Sequence, residues 1–377
     1  MLRNYSKILI ILVIPSLILT GCWDYNDIDK RSIVITVGVD RIKGNVEFAT
    51  EVARLVPEAG EAKASKQDIY KDLSYGKTFE FARVDYDSRR PFPTFLSATR
   101  VVVFGPNYAK EGVEPYMNRI NKMYDYRKTL LTVVSREPAS ELIQTKVKKS
   151  LSVGFLIEDM MTFLSEKGTA LYPKVGEILS DISLGDVGYI LPYIGKSQES
   201  IKYLGLAIMK ESKLIDTVDV KNSEGILYLL AEDPVFTEIV TLENDKENKY
   251  SFRIKIGDRK IKSEYKEGKP IINVDLELKN QLQYQYYVEP INDKEKKLLE
   301  KKISNIVKKY ITDIIKRSQK EFECDIFSFA KYFRADFPKV YKKIDWSKEY
   351  PEIKVNVNVK SKIINMNLSD PSAKQKY

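Results

Sequence analysis

Between residues 292 and 319, apolar side chains return every three or four positions, at Leu299, Ile303, Ile306, Tyr310 and Ile314, and most of the remaining positions are charged. This is the stripe of an amphipathic helix, and Asn292 or Asp293 stands where an N-cap belongs. At 1.5 Å per residue such a helix runs about 40 Å. A stripe that long needs an equally long apolar surface to bury against, and the preceding chain offers one. The runs 235–242, 249–256, 260–265 and 271–288 alternate charged residues with Val, Ile and Tyr. Alternation of this kind describes a sheet buried on one face and solvated on the other. The second half of the chain is therefore expected to be a sheet carrying one long helix. The outward face of that helix holds Lys294, Lys296, Lys297, Lys301, Lys302, Lys308, Lys309, Lys316 and Arg317 against few acids. It reads as a solvated face, with contact to anionic headgroups as the sharper alternative. Tyr284, Tyr286 and Tyr287 are expected to pack along an edge strand rather than to form a binding stripe.

The first half has a different rhythm. Residues 33–40 and 99–105 are short β-branched runs that read as buried strands, and 46–56 returns from a turn at Lys43-Gly44-Asn45. Residues 57–66 lack any period and read as a loop. Helical spacing appears over 78–89, 106–124 and 138–147, with a strand at 130–135, and further helices are expected over 155–164 and 173–181. Strands alternating with helices imply a layered sheet with helices upon it. A hairpin over 203–216 and a short helix over 223–230 open the second half.

What precedes residue 22 reads as an export signal. Arg3 and Lys7 give a positive start, and residues 8–19 form an apolar run broken only by Pro15 and Ser16. Twelve residues are too few to span roughly 30 Å of hydrocarbon comfortably. The run ends in Leu19-Thr20-Gly21-Cys22, which resembles the bacterial lipobox. In that motif the thiol receives a diacylglyceryl group and the chain is cut before the cysteine, so lipidation is assigned to Cys22 and 1–21 to the signal. An uncut N-terminal anchor is the plainer alternative. Either holds the chain on a bilayer, since each buried CH₂ of an acyl chain contributes about 0.8 kcal/mol.

The chemistry available to the exported body is narrow. The sequence contains no histidine, which removes Ser–His and Cys–His nucleophile pairs and His-based zinc or iron sites. No paired-acid motif, P-loop or Gly-rich fingerprint stands in for them. No catalytic residue, cofactor-binding residue or metal ligand is assigned. With Cys22 acylated, Cys324 is left without an intramolecular partner, and its phenylalanine-rich surroundings describe a buried thiol. The formal charge is +9. It favours an anionic bilayer, and export argues against nucleic acid as the partner.

Three stretches carry a family resemblance: Gly21-Cys22-Trp23-Asp24, Gly38-Val39-Asp40, and the run from Ala98 through Gly105-Pro106-Asn107-Tyr108-Ala109 to Gly112-Val113. A fourth lies near the end. It places Asp325 before Phe329, Phe333 and Phe337, then Pro338, Trp346 and Tyr350-Pro351. Together they are similar to the Ger(x)C family, the C-subunit lipoproteins of spore germinant receptors. Asp325 reads as a helix cap, and the three phenylalanines, four residues apart, read as a core face packed on the long helix. Ala330 and Tyr341 depart from the family's usual Gly and Trp.

The fold expected is α+β and multi-domain, with an N-terminal α+β domain over 22–135, a helical middle domain over 136–200 and a C-terminal α+β domain over 201–377. The resemblance implies a non-enzymatic subunit of a nutrient germinant receptor. It would be lipid-anchored on the outer face of the spore inner membrane, beside two integral-membrane subunits of A and B type. The alternative reading is an extracytoplasmic solute-binding lipoprotein that captures the nutrient itself.

Overall fold

The computed structural model describes residues 28–54, 68–123, 125–148, 150–198, 200–243 and 245–365. Cys22 and the whole of the expected loop at 57–66 lie outside these residues. Two mixed sheets with packed helices make an α+β, multi-domain architecture.

The first sheet takes in β1 (Ser32–Ile42), β2 (Asn45–Arg54), β3 (Asp68–Gly76), β4 (Thr94–Phe95), β5 (Val101–Phe104), β6 (Leu131–Ser135), β7 (Tyr189–Ser197), β8 (Ser200–Lys210) and β9 (Lys213–Asp219). Its order is β3-β2-β1-β5-β6-β7-β8-β9, with β4 added beside β1. The middle pairings, β1·β5, β5·β6 and β6·β7, are parallel, and hairpins flank them on both sides. Parallel neighbours need crossovers and coverage on both faces. This is why β5 and β6 are short, β-branched and buried at every residue.

The coverage comes from α1 (Phe79–Asp87), α2 (Pro106–Glu111), α3 (Glu114–Lys122), α4 (Ala139–Ile143), α5 (Val153–Glu166) and α6 (Val175–Leu184). Val102, Phe104 and Val134 face a core shared with α1, α2, α3 and α6. Val101, Val103, Leu131 and Val133 face the opposite way, onto α4 and α5. The helical period expected over 106–124 is two helices that break at Gly112, and the helix begun at Pro138 stops at Ile143. The helices within 136–200 lie on the first sheet, and residue 200 begins β8, which pairs with β7 along its length.

The second sheet runs β10 (Val235–Leu242), β11 (Asp245–Lys266), β12 (Lys269–Gln285) and β13 (Lys354–Asn365) in that spatial order. Runs expected as two strands, 249–256 and 260–265, are one long strand, because the break at Gly257 is a register shift rather than a turn. The helix α8 (Asp293–Lys320) is capped by Asn292, whose side chain accepts from the backbone N–H of Lys294 and Glu295. Leu299, Ile303, Val307, Ile311 and Ile314 bury its stripe, while Ile306 and Tyr310 sit at the stripe's margin. It lies against β13, β10 and the short helix α7 (Glu224–Leu230).

Past α8 come α9 (Phe329–Asp336), α10 (Pro338–Tyr341) and α11 (Trp346–Glu349). The aromatic helix α9 packs on the β11–β12 hairpin rather than principally on α8. Phe329 and Phe333 are buried and Phe337 is half-buried. The tyrosines near the end of β12 depart from expectation. β12 is a central strand between β11 and β13, and Tyr284, Tyr286 and Tyr287 are 51%, 51% and 58% exposed.

Candidate functional site

The ends of parallel strands in open α/β sheets are the usual seat of anionic ligands, because helix N-termini converge there with unpaired N–H groups. At the carboxyl ends of β5 and β6, this chain fills the seat itself. Asp40, from β1, accepts from the N–H of Tyr108 in α2 at 3.1 Å and of Ala139 in α4 at 3.4 Å. Its neighbour Arg41 donates a backbone N–H at 2.8 Å. Burial raises the Asp40 carboxyl, and the N–H groups pull it back down. Gly105 is required by this approach, since a Cβ there would lie 2.0 Å from Asp40 Oδ2.

Two further acids are used in the same way. Glu51 of β2 receives the N–H of Val153 and of Gly154, each at 3.0 Å, and the Thr36 hydroxyl at 2.5 Å. It therefore caps α5, with Lys71 Nζ at 3.7 Å as counter-charge. Asp325 accepts from the N–H of Phe327, Phe329 and Ala330 and from Trp346 Nε1, at 2.8 to 3.2 Å. Burial pushes its carboxyl up to about 6 against those four donors. Carboxylates saturated by donors have no lone pair directed at a substrate, so all three act as fasteners. The family-like motifs pointed to Asp40 and Asp325. Glu51 gave no comparable signal, because it sits in a strand whose buried positions do not alternate.

One pair of acids is electrostatically coupled without such fastening. Glu238 of β10 is pushed up to about 7, by burial and then by the charge of Glu224 on α7. Both lie under the sheet–helix interface, away from the cleft described next. Cys324 is also withdrawn from chemistry. Burial pushes its thiol up to about 12, and the backbone of Gly188 packs against its sulfur. Among the described residues no group of three or more His, Cys, Asp or Glu side chains could hold a metal ion.

A cleft of about 450 Å³ opens between the first sheet's helices and the second half of the chain. Tyr172, Lys174, Glu177 and Asp181 line one side, and Glu232 and Ser328 the other. Lys331 pairs with Asp181, whose carboxyl burial raises. The volume falls within the range of ligand pockets. No helix among the described residues is long and apolar enough to cross a membrane.

Comparison with known proteins places nearly the whole of this body. A family model described as "Spore germination protein N-terminal domain" matches residues 24–196, and one described as "Spore germination B3/ GerAC like, C-terminal" matches 204–367. Among curated relatives, "Putative spore germination protein YfkR" of Bacillus subtilis (strain 168) is 24% identical, with 92% of this chain and 93% of the relative covered. "Spore germination protein B3" of the same organism is 22% identical, covering 93% and 95%. "Spore germination protein GerQC" of Bacillus cereus is 22% identical, covering 94% and 97%. A solved structure, "Crystal Structure of the GerBC protein", shares the fold with a TM-score of 0.55 at 16% identity, over 87% of this chain and 97% of that one.

Proposed function

The chain belongs to the Ger(x)C family of spore germination proteins, and from that premise we propose that it is the lipid-anchored C-type subunit of a nutrient germinant receptor. Cys22 carries the acyl anchor, and the two sheets stand on the outer face of the spore inner membrane as a non-enzymatic scaffold. Its partners in this reading are the two integral-membrane receptor subunits of A and B type. The observation that carries the proposal is one of position. The N-terminal family match begins at residue 24, two residues after the cysteine that ends the apolar leader. The saturated state of Asp40, Glu51 and Asp325 supports a scaffold rather than a catalyst, since each is spent on orienting helices. A Cys22→Ala chain is expected to leave the membrane fraction or to remain unprocessed. Processing as in the wild type, with retention as an integral lipoprotein, would refute the anchor.

A second reading has one observation in its favour. The cleft bounded by Lys174, Asp181 and Glu232 is large enough for an amino acid or a sugar, which suits an extracytoplasmic protein that captures the nutrient itself. A thermal-shift screen against amino acids and sugars separates the two readings. A shift abolished by Glu232→Gln would favour capture, and a flat screen favours the scaffold.

A further inference from the structure

The second sheet buries one face under α8 and α9 and leaves the other uncovered. Cross-strand register puts a row of three lysines on that open face: Lys255 of β11 opposite Lys279 of β12, and Lys279 opposite Lys362 of β13. All three are exposed, and none has an ion-pair partner among the described residues. Directly opposed side chains in a sheet lie about 5 Å apart at Cβ, and like charges there destabilise it. The stem of Lys279 lies over Gly257, where a Cβ would meet it at 3.0 to 3.1 Å.

The next rows along the sheet add a fourth cation and a set of exposed apolar groups. Arg253 pairs with Gln281, and the row beyond holds Ile239, Ser251 and Tyr284. Ile239 is 52% exposed, Tyr284 51% and Ile364, beside the row on β13, 51%. Tyr284 stacks on Tyr286 with ring centroids 6.0 Å apart, and Lys249 lies over the Tyr286 ring. The row on the other side of the lysines holds Asp258, Glu277 and Lys360, with Asp258 engaged by Lys260, and Glu247 lies beyond Lys249.

Unneutralised lysines interleaved with exposed tyrosine and isoleucine match the chemistry of a bilayer interface. There cations meet lipid phosphates, and amphipathic rings sit at headgroup depth. An acidic protein surface would satisfy the lysines but leave the isoleucines and tyrosines without a reason for exposure. We propose that the open face of the β10–β13 sheet is a docking surface for an anionic lipid bilayer, laid against headgroups through Lys255, Lys279, Lys362 and Arg253. The proposal deepens the membrane-bound reading and rests on it, since a surface of this kind orients a body already held nearby.

The test uses the full acylated chain in nanodiscs of phosphatidylcholine alone or with a third phosphatidylglycerol, reading lysine acetylation by mass spectrometry. Each well-placed cation strengthens association roughly fivefold. Acetylation of Lys255, Lys279 and Lys362 is therefore expected to slow at least several-fold in the anionic discs only, while Lys43, in a turn of the first sheet, is unchanged. The slowing should vanish in high salt. The triple variant Lys255→Gln, Lys279→Gln, Lys362→Gln should melt no lower than the parent and lose the lipid-dependent protection of Lys249. Equal acetylation in both discs overturns the proposal. So does protection seen only in native membranes and in neither disc, which would assign the face to an acidic protein. Failure of the anchor reads out separately, as a chain that leaves phosphatidylcholine discs altogether. In that case phosphatidylglycerol vesicles added to the free chain still test the face by the same labelling.

Discussion

Phe333→Ala is the substitution whose cost can be worked most fully. The ring is fully buried and packs against three others: Phe337 at 5.2 Å, Trp346 at 5.4 Å and Tyr265 at 6.1 Å between centroids. Truncation removes roughly 150 Å² of apolar burial, about 4 kcal/mol at 25 cal/mol per Å². Phe→Ala changes in cores span about 3–5 kcal/mol, the range depending on how far the site collapses. Collapse is limited here, because Trp346 is held through its Nε1 by Asp325 and Tyr265 is fixed in the β11–β12 hairpin. A loss of about 4 kcal/mol therefore stands, out of a total stability of about 5–15 kcal/mol. In a protein this size the melting temperature should fall by roughly 8–16 °C. The assay is urea and thermal unfolding followed by tryptophan emission, which Trp346 makes sensitive to this very cluster. Tyr332, next in sequence but 41% exposed, is the internal control, and Tyr332→Ala should melt near the parent. An unchanged melting curve for Phe333→Ala, together with lost co-purification of receptor partners, would refute the packing argument and make this face a dock.

Gly105→Ala would drive a methyl into the Asp40 carboxylate and should cost at least about 2 kcal/mol by overpacking, read as a lower urea midpoint. Glu51→Ala removes the acceptor of two N–H groups at the start of α5, an expected loss of about 1–3 kcal/mol, checked by thermal melts and by faster amide exchange in the first turn of α5. Glu238 is raised in the folded state above its ordinary 4.5, so its contribution to stability is complete below about 4.5 and is lost as pH rises through about 7. Melting temperature should therefore fall between pH 5 and pH 8, and Glu238→Gln should flatten that slope and gain about 1–2 kcal/mol at pH 8 after allowance for partial solvent screening. A parallel pH dependence in parent and variant would count against Glu238 as its source.

The parts of the fold legible in the sequence are those with an internal period. The α8 stripe and its Asn292 cap, the hydrophobic runs of β1, β5 and β6, and the buried face of Phe329 and Phe333 all follow from spacing within a single element. What was not legible depends on contacts between distant residues. Nothing local marks Asp68–Gly76 as a strand, because β3 is defined by its pairing with β2. The two runs of β11 could be joined only once β12 supplied a continuous partner across Gly257. The tyrosines of β12 were expected to be packed because an edge position was assumed. The strand is central and its partners bury the opposite face, so period-2 alternation sends Tyr284 to the uncovered side. Cys22 was legible only as a motif, and no contact among the described residues bears on it.

Burying a carboxylate is costly, yet this protein places Asp40, Glu51 and Asp325 in its interior, each receiving backbone N–H groups. Their placement explains why they persist. Asp40 joins α2 and α4, which belong to cores on opposite faces of the first sheet, so one side chain fixes the two layers to a common strand. Glu51 sets the start of α5 against the β1–β2 pair. Asp325 ties the start of α9 to Trp346, closing the aromatic cluster over the second sheet. Apolar packing could match the stability of these contacts, but it tolerates rotation and sliding of a helix. A carboxylate that receives two or more N–H groups accepts only one orientation. In the proposed scaffold role, loss of that orientation would be more damaging than a few kcal/mol of stability.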